Sequence, residues 1–208
     1  MARHPAAPTP PDRALPGVDA CDRRLSDVVS DTSPARSVVR PHHVGGGAAW
    51  QVLVRDGALR EVVPGAACPP GVLVDAGLRA LLIAPRIPPR TVVTGRTAAW
   101  VHTGAGSADA LDLACVAGRH RPERPAGARL WQAPLLHPDT VRIGPVLVTD
   151  PTRTVVELVL HTGEPDLVVA LARHGADLVR ARRAVEVRPR ASGRAAALIT
   201  LDVAVARL

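Results

Sequence analysis

Between positions 36 and 60 the chain carries Arg36, Arg40, His42, His43, Gln51, Arg55 and Arg60, whose donors and acceptors match base edges and phosphate oxygens. Glutamine can bond adenine through two parallel contacts, and arginine can take guanine or phosphate in the same forked way. Gln51 and Arg55 are four apart, so one helical face presents both. These seven residues are the candidate DNA-binding set, with Arg60 on a following hairpin.

A second constellation is Gly106-Ser107 followed by Asp109 and Asp112 in GSADALDLACV. It is similar to the glycine-serine turn and acidic pair of nucleotidyltransferases, where the turn holds phosphate and the carboxylates hold Mg²⁺. That pair is separated by one residue so that both acids leave one side of a strand, whereas Asp109 and Asp112 are three apart and face opposite sides. A loop leading into a strand is the expectation, and no reaction is assigned. His42, His43, His102, His120, His137, His161 and His174 show neither HxxxH nor cysteine-partner spacing, so they read as surface or capping residues and no metal or cofactor is expected. Ser107 sits in GAGSA rather than GxSxG. Arg153, in TDPTRT, is expected to pair with a nearby carboxylate or carbonyl.

The elements that position these residues follow from punctuation and periodicity. Residues 1–18 hold five prolines and read as a disordered tail, and Cys21, Leu25, Val28 and Val29 give a first helix over 19–31. Pro41 limits any helix over 32–40 to about two turns, and Gly45-Gly46-Gly47 breaks the chain. Ala48 to Asp56 is helical, with Trp50, Leu53 and Val54 inward and Gly57 as its stop. Ala58 to Val63, Pro64-Gly65 and Ala66 to Cys68 give a hairpin. This order describes a winged helix-turn-helix over residues 19–88. Leu78, Leu81 and Leu82 mark a further helix, and Pro85, Pro88 and Pro89 suggest a junction with a second, mixed α/β domain over 89–208.

In that second domain VVTGRTAAWVHTG at 92–104 reads as a short buried helix between strands, a packing landmark started at Thr94-Gly95 and ended at Gly104. Strands are expected at 110–117, near Leu130, and as a pair around Gly144-Pro145. Asp150-Pro151 starts one helix and Pro165 another. Six arginines lie between Arg180 and Arg194, and the periodicity of the apolar stretch 195–208 fits either helix or strand.

Hydrophobic residues make up 47% of the 208, enough for a core, yet Phe and Tyr are absent, so Leu, Val and Ala with three Trp must fill it. There is no Lys, so every one of the 26 cations is Arg, and the net charge of +7 favours an acidic partner, nucleic acid first. Cys21, Cys68 and Cys115 form no paired framework, which fits a reducing cytoplasm, and no run approaches the ~20 apolar residues of a membrane span.

Three patterns in order, LVRDGALREVVPG at 53–65, VVTGRTAAWVHTG at 92–104 and GPVLVTDPTRTVVELV at 144–159, resemble the AbiEi-type antitoxin and transcriptional regulator family of actinobacteria. The resemblance implies an α+β protein whose N-terminal winged helix binds operator DNA and represses its own operon. It also implies a second domain acting as antitoxin, in a type IV toxin–antitoxin pair, against a nucleotidyltransferase-like toxin encoded nearby. The alternatives are a protein-interaction module that neutralises a toxin without specific DNA binding, and a nucleotidyltransferase-like enzyme using Asp109 and Asp112.

Overall fold

The computed structural model describes residues 37–116, 122–188 and 193–208. The expected tail, the helix over 19–31, Cys21 and Arg36 lie outside the described residues. Val38 and Val39 are extended rather than helical, and Val39 exchanges backbone hydrogen bonds of 2.8 and 2.9 Å with Ala67. Two adjacent β-branched residues favour that strand pairing, and Pro41 opens a 3₁₀ turn over Pro41–His43 instead. Helix α1 (Gly47–Arg55) follows, with Trp50 buried against Val39, Val44, Leu59 and Ala67 and flanked by Leu53 and Val54, the inward set that the spacing predicts. The chain then forms the hairpin β1 (Arg60–Val63) and β2 (Ala66–Cys68).

Helix α2 (Ala76–Ile83) starts where Asp75 accepts the Leu78 N–H at 2.7 Å. Its Leu78, Leu82 and Ile83 share one core with Val63 and Cys68 of the hairpin and with Val93, Leu113 and Val148 of a second sheet. Packing is therefore continuous across the proline cluster at 85–89. The second sheet contains β3 (Val92–Val93), β4 (Asp112–Val116), β5 (Arg129–Ala133), β6 (Thr140–Ile143) and β7 (Val146–Thr149) in the order β5-β4-β3-β7-β6. β3 runs antiparallel to β4 and parallel to β7, β4 runs parallel to β5, and β6–β7 is the hairpin that Gly144-Pro145 predicts.

Between β3 and β4 lies helix α3 (Gly95–Thr103), ended by Gly104 in the left-handed conformation. Its Ala98, Trp100 and Val101 enter the sheet core, while Ala99 enters a second core built by four further helices. These are α4 (Pro151–His161), α5 (Pro165–Arg173), α6 (Leu178–Glu186) and α7 (Arg194–Val205). Asp150 caps α4 by accepting the N–H groups of Thr152 and Arg153. The start of the arginine-rich stretch, with Arg180, Arg182 and Arg183, folds within α6 because Asp177 caps that helix and Ala181 and Val185, four apart, are buried. The last apolar stretch is helical, with Ala197, Leu201 and Ala204 inward. The architecture is α+β, and among the described residues no helix is long and apolar enough to cross a membrane.

Thr94 occupies the cap position of α3, but its hydroxyl accepts no helix N–H and lies 3.4 Å from the Thr149 hydroxyl. The cap comes from β4: the fully buried Asp112 accepts the Arg96 N–H at 2.9 Å and binds Arg129 through both oxygens at 2.7 and 2.6 Å. This carboxylate needs Gly95 beside it. Gly95 has φ of 54°, and a Cβ there would lie 2.7 Å from Asp112 Oδ2. Gly95→Ala adds left-handed strain and displaces a buried ion pair. It is expected to cost about 2 kcal/mol or more, a fall in Tm of roughly 4–8 °C. An unchanged thermal midpoint would show that this junction has room to relax.

Candidate nucleic-acid interface

Helix α1 carries two of the expected contact residues, Gln51 and Arg55, and both face outward. Trp50 anchors its inner side, so Ala48, Gln51, Val52 and Arg55, spaced three and four apart, form an exposed outer stripe. Ala48 and the preceding glycines keep the helix N-terminus slim. Gln51 is exposed, and Arg55 is exposed with its Nε bonded to Asp56 Oδ1 at 2.9 Å, a contact that also raises its pKa. That exposed pair is held weakly, because solvent screens it.

His42 and His43 are exposed on the turn that leads into α1, their rings 4.2 Å apart and edge to face. The His43 Nδ1 accepts the Arg40 N–H at 3.2 Å, which places its own proton on Nε2. Partial burial, and then the neighbouring His42 and Arg40, lower its pKa and favour that neutral form.

Arg40 and Arg60 depart from the expected set. Arg40 points back into the protein, where its Nη2 donates to the Leu81 and Leu82 carbonyls at 3.3 and 3.2 Å. Those carbonyls end α2, so this guanidinium serves a helix C-terminus rather than a phosphate. Arg60 donates weakly, at 3.5 Å, to the Val72 carbonyl and lines a cleft toward α3. The structure therefore brings His42, His43, Gln51 and Arg55 to the α1 side and leaves Arg40 and Arg60 on the α2 and α3 side.

The acidic pair does not assemble. Asp109 is exposed in a loop whose carbonyl accepts from Arg86, and Asp112 is committed to Arg129, Arg96 and the α3 N-terminus. Among the described residues no group of three or more His, Cys, Asp or Glu is arranged to hold a metal ion.

Two buried polar centres carry no signal in that set. Contrary to the surface reading of the histidines, His102 is buried and its Nε2 meets the Thr149 carbonyl at 2.8 Å. Burial lowers its pKa, so it sits there neutral. The other centre is Glu157, fully buried on α4. Its carboxylate accepts the Trp131 indole N–H at 2.7 Å and Arg153 Nε at 2.9 Å, with Arg188 at 3.3 Å and His161 Nε2 at 3.4 Å. Arg153 also reaches Asp139 at 3.2 Å, the structural pairing that its context predicts. The clue to Glu157 was a lone acid inside the apolar run VVELV, four residues after Arg153.

Desolvation alone would raise the Glu157 carboxyl, but the His161 and Trp131 hydrogen bonds and the charges of Arg153 and Arg188 outweigh it and hold it at about 2. A depressed carboxyl stabilises the fold above its unfolded value, near 4.5, and that contribution disappears as pH falls toward 2. Glu157→Gln is expected to lose about 3–5 kcal/mol at neutral pH, because the largely buried Arg153 loses one of its two carboxylates and Arg188 loses its own. Urea unfolding of both proteins from pH 7 to pH 2.5 checks it: the gap between them narrows below pH 4.5, and a pH-independent gap would contradict this account.

No protein-family model matches the chain, and no curated protein matches it. Among solved structures it is similar to the crystal structure of the RV2827C protein from Mycobacterium tuberculosis, at 18% sequence identity and a TM-score of 0.44, covering 93% of this chain and 79% of that one.

Proposed function

We propose that the protein is a DNA-binding transcriptional regulator of the antitoxin type, with α1 as the helix that enters the major groove. The observation that carries this reading is the outward stripe Ala48, Gln51, Val52 and Arg55 on a helix fixed from behind by Trp50. The order of extended segment, short turn, helix and hairpin supports this reading, because a winged helix-turn-helix places its base-reading helix directly before the wing. Gln51 suits adenine, Val52 suits a thymine methyl, and Arg55 suits guanine or phosphate. His42 and His43 flank the helix start, within reach of a backbone. Arg40 is left out of the contact set, since its donors already serve α2.

On this reading the partners are operator DNA and a nucleotidyltransferase-like toxin encoded nearby, bound through the second half of the chain, in the cytoplasm. No reaction belongs to it. The polar network at Asp112 and Glu157 supports the fold rather than chemistry, because each carboxylate is already occupied by arginine and N–H donors.

A fluorescence-anisotropy titration with the duplex upstream of its own reading frame and with a scrambled duplex, at two salt concentrations, tests the proposal. Tighter binding to the upstream duplex is expected, and Gln51→Ala with Arg55→Ala should weaken it by roughly tenfold or more, since each bidentate base contact is worth about 1–3 kcal/mol. Equal, weak and salt-sensitive binding to both duplexes, untouched by the double substitution, would reduce the interaction to general arginine electrostatics and leave a protein as the partner of α1.

A further inference from the structure

We infer that the cleft between the β1–β2 hairpin and α3 binds a small organic anion, a carboxylate or phosphate on an apolar body, with Arg60 and Arg79 as its anchors. The cleft has a volume of about 320 Å³ and is walled by Arg60, Val62, Val74, Arg79, Trp100 and Gly104. That size is at the small end of ligand pockets. Val62, Val74 and Trp100 supply apolar contact, and the two guanidinium groups supply orientation.

The charge balance is what points to an anion. Among the described residues neither Arg60 nor Arg79 has a carboxylate within ion-pair distance, whereas Arg55, Arg96, Arg129, Arg153, Arg182, Arg188 and Arg207 each do. Arg79 donates to the carbonyls of Val74, Val101 and His102, which uses three of its five N–H groups. Partial burial works against its charge, and the Asp75 carboxylate, which eases this, is occupied in capping α2. Glu61 is the acid at the rim, and its Oε1 is drawn to the Gly65 N–H at the hairpin turn, 2.8 Å away. A Cβ at Gly104 would come within 3.2 Å of Arg79 Nη1, so glycine there leaves that edge of the guanidinium open to the cleft.

An occupant would bridge the hairpin, which carries Arg60, to α3, which carries Trp100. The hairpin also forms the base under α1, so binding here would shift the DNA affinity of the protein. That regulatory step rests on the DNA-binding reading; the anion site itself does not.

The test uses the full chain labelled with ¹⁵N and follows its three indole N–H signals, assigned through Trp50→Phe and Trp131→Phe, during titration with benzoate, phenyl phosphate and neutral benzamide at constant ionic strength. The expected result is a saturable shift of the Trp100 signal with a Kd of about 1 mM or tighter for one of the anions, and none with benzamide. Arg60→Gln should weaken binding by about tenfold or more, with partial recovery in Arg60→Lys; Arg60 is exposed, so the fold survives both. No saturable shift, a shift confined to Trp50 or Trp131, or equal binding by Arg60→Gln would overturn the site. Repeating the anisotropy titration at saturating ligand separates the two readings. A ligand that binds to a protein with no sequence preference for DNA would sink the DNA reading alone, and unchanged operator affinity would sink the regulatory step alone.

Discussion

The fold depends on how α3 is held at its two ends. At the N-terminus Asp112, fully buried on β4, accepts the Arg96 N–H, and at the C-terminus Arg79 from α2 donates to the Val101 and His102 carbonyls. A negative group at the start of a helix and a positive one at its end both oppose the helix dipole, and both satisfy backbone groups that have no partner within the helix. Because those groups are buried, leaving them bare would cost more than the bonds themselves contribute. The sheet core packs on one side of α3 through Ala98, Trp100 and Val101, and the helical core meets it at Ala99. Small residues at 98 and 99 let both layers approach closely, which a larger side chain at either position would prevent.

The same economy explains the unusual composition. With no lysine, every cation is a planar fork that can bond two acceptors at once. Arg40 ends α2, Arg79 ends α3, Arg86 holds the Ala108 and Asp109 carbonyls, and Arg129 grips Asp112. Arg153 and Arg188 converge on Glu157. A compact ammonium would satisfy only some of these geometries. The 26 arginines therefore overstate the donor forks free to grip a polyanion directly, since several are already bonded within the fold, while the net charge of +7 is unchanged by those bonds.

Local patterns were legible where one short segment decides its own conformation. Asp150-Pro151, Gly144-Pro145 and the run VVTGRTAAWVHTG each specify a cap, a turn or a strand-to-helix passage within a few residues, and each forms as the pattern predicts. Trp50, Leu53 and Val54 declare the inner face of α1 by spacing alone. What escaped was set by partners distant in sequence. Val38 and Val39 are extended because Ala67 offers them a strand, and the α3 cap is Asp112, sixteen residues from the N–H it accepts, rather than the adjacent Thr94. Arg40 looked like a phosphate contact because nothing near it in sequence shows that the end of α2 lies beside it. His102 shares helical spacing with Ala98 and Ala99 but its polar ring reads as a surface group until the Thr149 carbonyl is placed beside it, and Trp131 meets Glu157 across twenty-six residues.

The hairpin links the α1 unit to the rest of the molecule through the alternation of its side chains. Val38 and Ala66 face the main core, while their neighbours Val39 and Ala67 face the small core under Trp50. Extended residues alternate sides, so β2 and the Val38–Val39 segment paired with it form a partition buried on both faces. Among the described residues the buried apolar side of α1 belongs to the small core, and Arg40 ties the chain just before α1 to the end of α2. The outward stripe of α1 is therefore aimed by the seating of this partition on α2. Packed cores move between discrete arrangements rather than deforming continuously, so a change in that seating would turn α1 as a unit instead of loosening it.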